Sequence, residues 1–96
     1  MDNYNYNSLS SLVGDKVKLQ DDQGNMAELS ISEVVKGKLD GEEWEAFSVI
    51  YQGEQGLSIP QGTYQFSHEK FGEQQLFLSP NSETEYETVV TRKKST

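Results

Sequence analysis

The sequence predicts an all-β domain: a small antiparallel barrel or roll of about six strands with meander connections. Apolar and polar residues alternate over several short runs, as they do in half-buried strands. Glycine or proline separates these runs, and no segment of about 11 or more residues has the apolar spacing of an amphipathic helix. Because the predicted strands carry aromatic residues on more than one face, we expect them to close into a barrel or to pack as two layers.

The first half of the chain predicts two strands joined by a tight turn. Leu9 begins an apolar segment that forms either a short helical turn or a first strand, and residues 16–20 then alternate. The polar residues 21–25 are typical of a hairpin turn. Alternation resumes directly after the turn and changes phase at 34–35, which indicates a β-bulge before the loop 37–41.

The stretch 47–80 predicts three consecutive strands joined by glycine-containing turns. Its first strand has apolar residues on one face and Ile50 on the other, so we expect an interior strand that is covered on both sides. Pro60 lacks the amide hydrogen that a sheet ladder needs, and it therefore marks a strand end or an edge. Residues 63–69 and 75–79 then alternate on either side of a glycine reversal.

These elements define one domain, residues 9–91, which ends with a strand at 85–90. Residues 1–8 form a polar lead-in and residues 92–96 a basic tail, and we expect both segments to be flexible. A chain of 96 residues is too short to hold a second domain of ordinary size. The domain organisation is therefore a single β unit between two polar ends.

Composition excludes several classes of protein. The chain has no cysteine, which rules out disulfides and thiolate metal sites. Sixteen acidic against eight basic residues give a net charge of -8, which disfavours nucleic acid as a partner. No apolar run approaches the ~20 residues of a membrane span, and the polar N-terminus lacks the features of a secretory signal. We therefore expect a cytoplasmic protein without a membrane partner.

His68 is the single histidine and the one candidate for acid–base catalysis. It shares a predicted strand face with Tyr64 and Phe66, and Glu69 follows it in the chain. Neighbouring strand residues point to opposite faces, so Glu69 is poorly placed to orient His68. No serine lies in a nucleophile-elbow motif. We interpret His68 as a structural residue at a strand end and predict that the protein is not an enzyme.

No motif predicts a cofactor. The acidic residues within 21–25 and 40–45 could supply oxygen ligands, but neither segment has the ligand pattern of an EF-hand loop. We interpret both segments as solvated turns, with weak cation binding as the alternative. The glycines occur where turns are needed and form neither a P-loop nor a dinucleotide-binding motif. We therefore expect no metal, no nucleotide and no other cofactor.

Aromatic residues are the strongest candidates for protein recognition. Trp44 is the single tryptophan and stands between two glutamates, and tryptophan is frequent in binding hot spots. Its position on the predicted strand is also compatible with a packing role, at the end of a sheet face that the rest of the domain covers. Tyr4 and Tyr6 alternate in the polar lead-in, where they could add to a sheet edge of this chain or of a partner. Together with His68, these residues form the candidate interaction set.

Four segments stand in a recognisable order: LVGDKVKLQ, AELSISEV, FSVIYQGE and IPQGTYQFSHEKFGEQQLFLSP, followed by a closing strand that contains a tyrosine. The most specific part is PQGTY with an H-x-x-x-G-E turn and an L-F-L-x-P strand, between Pro60 and Pro80. From Leu12 to Val90 the chain thereby resembles a family of small bacterial all-β domains whose function is not established. The resemblance implies a compact β domain that is not a known enzyme, sometimes encoded near phage-tail-collar-like proteins, and hence an assembly or accessory role.

Two functions of different classes remain. The first is a non-catalytic interaction or assembly module that docks onto a protein partner, or onto a second copy, through a sheet edge or an aromatic patch. It predicts an exposed apolar patch or an unpaired edge strand. The alternative is a small-ligand-binding barrel or a hydrolytic enzyme that uses His68, and it predicts an interior cavity of a few hundred Å³.

Overall fold

The structure is a computed structural model, and it describes residues 4–94. These residues form one short helix and six strands. In chain order the elements are α1 (Tyr6–Ser10), β1 (Lys16–Gln20), β2 (Met26–Lys36), β3 (Trp44–Gln52), β4 (Gly62–His68), β5 (Gly72–Pro80) and β6 (Glu85–Lys93). The chain is therefore almost entirely β-sheet, as the alternation predicts.

The strands close into an antiparallel barrel in the order β1-β2-β3-β6-β5-β4, which confirms the predicted fold class. Consecutive strands are neighbours within β1–β2–β3 and within β4–β5–β6, so the barrel consists of two meanders. The stretch 47–80 is divided between them, since β3 pairs with β2 and β6 rather than with β4. Residues 53–61 connect the two meanders. The expectation that β3 is an interior strand is confirmed.

A β-bulge in β2 lies slightly earlier than the sequence predicts. The register between β2 and β3 shifts between Ile31 and Glu33. Just before β1, Gly14 donates its N–H to the Ile31 carbonyl and Ile31 donates its N–H to the Asp15 carbonyl. The bulge lets the first part of β2 pair with β1 and the last part pair with β3, which supplies the bend that barrel closure requires.

Apolar side chains from all six strands fill the barrel interior. Phe47, Val49 and Phe66 are each at most 1% exposed, and they occupy the region where a ligand-binding barrel would hold its cavity. Tyr64 is half-buried at the rim, where its hydroxyl donates to the Pro60 carbonyl at 2.6 Å. Burying a large apolar side chain contributes about 1.5–3 kcal/mol, so this interior is the main source of stability.

The connection between the two meanders covers one end of the barrel. Ile59 belongs to the core, and the buried hydroxyl of Tyr86 accepts the Ile59 N–H and donates to the Leu57 carbonyl. The chain leaves β3 so close to the interior that a Cβ atom at Gly53 would lie 2.9 Å from Cδ2 of Leu29. Glycine is therefore the residue that permits this close approach.

Helix α1 covers the opposite end. Asn5 caps it by accepting the Ser8 N–H through its side chain, and the helix contacts β2. Leu9, the only buried residue of the helix, and Leu12, in the turn that follows, both join the core. Of the two expectations for this apolar segment, the helical turn is thus the correct one.

The described parts of both predicted end segments contact the barrel. Tyr4 is 0% exposed and lies in the core, because burial of its aromatic ring outweighs the polar character of its neighbours. At the other end, Arg92 and Lys93 belong to β6, and the Lys94 N–H donates to the Glu43 carbonyl. The ladder with β3 therefore continues into the basic tail. Residues 1–3 and 95–96 of the two predicted segments lie outside the described residues.

Candidate functional site

Exposed apolar residues form a line across the outer face of the barrel. Val35 on β2 lies opposite Ser48 on β3, and Ser48 lies opposite Val89 on β6. On β5, Phe77 is also exposed, but the β5–β6 ladder joins only Ser79 to Glu87 and Pro80 to Tyr86 and does not pair Phe77 with Val89. We call Val35, Ser48, Val89 and Phe77 the outer stripe.

The outer stripe exposes large apolar side chains to solvent. Val35 is 44% exposed, Phe77 is 53% exposed and Val89 is 66% exposed. Each lies at a strand position whose two neighbours in the chain point toward the other face of the sheet. Polar side chains are the usual occupants of the solvent face of an antiparallel sheet. Exposed apolar side chains on three strands of one barrel are therefore a candidate contact surface for another protein.

The barrel is incompletely paired where the stripe passes from β6 to β5. Across the described lengths of these strands, their ladder consists of Ser79 opposite Glu87 and Pro80 opposite Tyr86. By contrast, β6 pairs with β3 along its whole length. We call the two facing edges, residues 72–78 and 88–93, the β5–β6 slot. Among the printed ladders of the described barrel, the one between β5 and β6 is therefore the shortest.

Tyr4 lies on the inner side of the β5–β6 slot. Its ring contacts Phe71 edge to face, with the ring centroids 5.1 Å apart, and it also approaches Phe47. Its hydroxyl shares hydrogen bonds of 2.7 Å with the Tyr51 hydroxyl and 2.8 Å with the Thr88 hydroxyl. The core-facing residues beside the slot are consequently buried: Leu76, Leu78, Thr88 and Val90.

Arg92 holds the chain at Tyr4 against β6. Its guanidinium donates to the backbone carbonyl of Tyr4 at 3.2 Å and forms an ion pair with the Glu45 carboxylate. Because burial withdraws the phenol from water, the pKa of Tyr4 is raised to about 12. The Tyr4 hydroxyl therefore stays protonated at neutral pH and supplies a hydrogen to this buried cluster.

Charges of both signs lie in and beside the slot. Glu85 and Glu87, just outside one end, both accept hydrogen bonds from the Asn81 side-chain amide, and Glu73 accepts one from the Gln65 side-chain amide. Arg92 and Lys93 lie on the β6 side of the slot. The slot is therefore a mixed charged surface beside the stripe.

His68 is engaged in local structure. Its Nδ1 accepts the Lys70 N–H at 2.9 Å, so the proton of the neutral ring lies on Nε2, which donates to Asp15 Oδ2 at 3.1 Å. The ring also stacks on Phe71. His68 borders an open surface groove of about 420 Å³ with charges of both signs. The carboxylate that orients His68 is Asp15 rather than Glu69, and both ring nitrogens are occupied.

The other sequence-predicted residues are dispersed. Trp44 is 39% exposed at the start of β3, where it lies opposite Lys93. Tyr6 lies on α1, and the Lys36 ammonium stands 4.9 Å from its ring centroid. Tyr4 lies in the core rather than on a free sheet edge. The structure therefore does not bring Trp44, Tyr4, Tyr6 and His68 together into one surface, although Tyr4 lies beneath the slot.

The residues of the outer stripe are the ones that sequence reasoning missed. Phe77 lies between Leu76 and Leu78, so strict alternation already places it on the opposite face from the core. Val89 beside Val90 and Val35 beside Val34 show the same two-sided pattern. That pattern also fits strands covered on both faces, so the sequence does not distinguish an exposed stripe from a second buried layer.

The acidic turns have local structural roles. Asp21 accepts hydrogen bonds from the backbone N–H groups of Gln23 and Asn25. The pKa of Asp21 is lowered, mainly because its carboxylate also accepts a hydrogen bond from the Asn25 side chain. Asp40 accepts the Ala46 N–H. Within residues 4–94, no group of three or more histidine, aspartate or glutamate side chains is arranged to hold a metal ion. The helix of this part of the chain lacks the length and apolar character needed to cross a membrane.

Comparison with known proteins matches the chain to one family, whose function is not assigned. No curated protein matches the chain significantly, and no solved structure does so either. One family model matches residues 4–90, a range that begins at the buried Tyr4 and includes all six strands except the last residues of β6. The chain therefore belongs to the family described as Domain of unknown function (DUF6916).

Proposed function

We propose that this protein is a non-catalytic interaction or assembly accessory module of the cytoplasm, which docks onto a protein partner through the outer stripe. The single observation that carries the proposal is the exposure of three large apolar side chains on outward strand positions: Val35 and Val89, which flank Ser48 on neighbouring strands, and Phe77 on β5. Covering such side chains contributes free energy in proportion to the apolar area removed from water.

The alternative, a ligand-binding barrel or a hydrolytic enzyme that uses His68, has less support. Core side chains occupy the axis of the barrel, and Phe47, Val49 and Phe66 are at most 1% exposed. Both ring nitrogens of His68 have hydrogen-bond partners, so the side chain offers no free nitrogen to a substrate. We also infer an assembly role from the resemblance to small β domains that are sometimes encoded near phage-tail-collar-like proteins.

Site-specific photocrosslinking in cells of the native host tests the proposal. A benzoylphenylalanine at position 89 is expected to give a discrete covalent adduct with a protein, because this position is the most exposed part of the stripe. Position 26 is a matched control, since Met26 is 65% exposed, close to the 66% of Val89, and lies outside the stripe.

The adducts are compared by electrophoresis and identified by mass spectrometry. A discrete adduct at position 89 but not at position 26 supports docking through the outer stripe, whether the captured protein is a different chain or a second copy. The absence of a discrete adduct at position 89, or equal adducts at the two positions, contradicts the proposal. Replacing Phe77 with threonine should reduce the adduct at position 89, because it removes apolar contact area from the same surface.

A further inference from the structure

We propose that a cleft at the rim of the barrel binds a small organic cation in which one apolar ring carries an ammonium group. The cleft has a volume of about 190 Å³ and lies between two segments, residues 19–27 and residues 57–64. We call it the rim cleft, and its walls include Leu19, Asp21, Ala27, Leu57, Ile59 and Tyr64. No residue of the outer stripe lines it, so the inference goes beyond the proposed docking function and does not depend on it.

The floor of the rim cleft is apolar. Leu19 and Ala27 lie opposite each other in the β1–β2 ladder, and Leu19 is 1% exposed. From the connection between the two meanders, Leu57 packs against the core and Ile59 belongs to it. Ala27 has the smallest side chain of this floor, which leaves the space open. An apolar cavity of about 150 Å³ is large enough to hold one benzene ring, so the rim cleft has room for a single ring.

Tyr64 forms an aromatic wall of the rim cleft. Its hydroxyl donates to the Pro60 carbonyl at 2.6 Å, which holds the ring beside the connection. Desolvation by burial raises the pKa of Tyr64, and the nearby charge of Asp21 raises it further, so the hydroxyl stays protonated at neutral pH. The face of a neutral aromatic ring attracts a cation. This wall therefore suits both an apolar ring and an adjoining ammonium group.

Asp21 supplies the negative charge that the ammonium group would meet. Its Oδ1 accepts the backbone N–H groups of Gln23 and Asn25, at 2.9 Å and 2.8 Å, and its Oδ2 accepts from the Asn25 side chain at 2.9 Å. These bonds fix the carboxylate in place, and the lowered pKa of Asp21 keeps it ionised at neutral pH. Because a carboxylate oxygen can accept more than one hydrogen bond, Oδ2 can also accept from an ammonium group.

The charges around the rim cleft favour a cation over an anion. The two segments that form it contain Asp21 and Asp22 but no lysine, arginine or histidine. Two lysines precede them on the outer face of β1, and neither lines the rim cleft. Lys16 forms an ion pair with Glu28 at 3.5 Å, and Lys18 lies opposite the same glutamate in the ladder. A positive ligand would therefore be attracted to Asp21, and an anion would be repelled.

Titration of the full chain with phenethylammonium tests the inference. The matched probes are phenethyl alcohol, which is neutral, and phenylacetate, which is an anion; all three carry one benzene ring. We expect the cation to bind with a Kd on the order of 1–10 mM, as its small size allows. The alcohol should bind about threefold more weakly, because it lacks the contribution of an exposed ion pair, and phenylacetate should not bind measurably.

Amide chemical shifts locate the bound probe. Changes concentrated in residues 19–27 and 57–64, with little change at Val89 and Phe77, support binding in the rim cleft. Failure of phenethylammonium to bind, equal binding of the three probes, or shifts centred elsewhere would each overturn the inference. These measurements use the unmodified chain, so their outcome does not depend on whether a variant folds.

Two substitutions in the β1–β2 turn separate the rim cleft from the general acidity of the chain. Asp21→Asn and Asp22→Asn each remove one negative charge, but only Asp21 lines the rim cleft. Asparagine at position 21 retains an oxygen that can accept the two backbone N–H groups of the turn. In physiological salt we expect Asp21→Asn to weaken binding of phenethylammonium about threefold and Asp22→Asn to leave it nearly unchanged. An equal effect of the two substitutions would assign the attraction to net charge and overturn the inference.

Filling the floor of the rim cleft gives an independent test. Ala27→Leu adds apolar atoms where the ring of the ligand would lie and leaves Asp21 in place. We expect this variant to keep the circular dichroism spectrum of the barrel and to lose binding of both phenethylammonium and phenethyl alcohol. Binding to the folded variant with unchanged affinity would show that the ring lies elsewhere, and it would contradict the assignment of the rim cleft.

Discussion

Replacement of Tyr4 with alanine is expected to lower the free energy of unfolding by about 3–5 kcal/mol, the cost of removing a large aromatic side chain from a core. Tyr4 is 0% exposed and contacts the rings of Phe47 and Phe71. Its removal would open a cavity beneath the β5–β6 slot, where the barrel lacks a continuous ladder. Equilibrium unfolding in urea of the full chain measures the effect.

Two variants separate packing from hydrogen bonding. Tyr4→Phe keeps the ring and removes the hydroxyl that bonds Tyr51 and Thr88, so we expect a smaller loss of about 1 kcal/mol. Tyr6→Ala is the matched control in the same segment, because Tyr6 is only partly buried on α1. A loss for Tyr4→Ala no larger than that for Tyr6→Ala would contradict the assignment of Tyr4 to the core.

Alkaline pH is expected to destabilise the protein through the same buried tyrosine. Burial raises the pKa of Tyr4 from 10.0 to about 12, and burial also raises the pKa of Tyr51 well above its ordinary value. Because the folded pKa exceeds the unfolded one, this contribution to stability is complete below pH 10 and is lost as the pH rises toward 12. One pKa unit corresponds to about 1.4 kcal/mol, so Tyr4 alone accounts for about 2–3 kcal/mol.

Urea unfolding over a series of alkaline pH values measures this loss, and the absorbance of tyrosinate reports ionisation. The stability of Tyr4→Phe should depend less steeply on pH, since the variant lacks one of the two hydroxyls of the buried Tyr4–Tyr51 pair. Ionisation of all five tyrosines near their ordinary pKa, with the barrel still folded, would contradict burial of the Tyr4–Tyr51 pair.

Local sequence patterns predict where the strands of this protein lie better than they predict which strands pair with each other. The alternation in residues 47–80 identifies β3, β4 and β5 because side-chain direction follows directly from strand geometry. It does not reveal that β3 pairs with β6, since that choice depends on contacts between residues far apart in the chain. The connection at 53–61 resembles an ordinary turn region in sequence, although it carries the chain from one meander to the other.

The candidate site is less predictable than the fold. Tyr4 in the polar segment MDNYNYNSLSS gives no local sign of burial, because its partners come from β3, β6 and the β4–β5 turn. The short ladder between β5 and β6 is equally hidden, since it depends on how two distant strands diverge within residues 4–94. Trp44 attracts attention as a rare residue, whereas the exposed stripe depends on Val35, Phe77 and Val89, whose residue types are ordinary in a core.

Photocrosslinking at position 89 tests the central claim most directly, because the proposed interaction module docks through the outer stripe. Val89 is 66% exposed and Met26, outside the stripe, is 65% exposed, so the two positions differ in location rather than in exposure. We predict a discrete protein adduct at position 89 and none at position 26. Equal adducts at the two positions, or no adduct at position 89, would contradict the account.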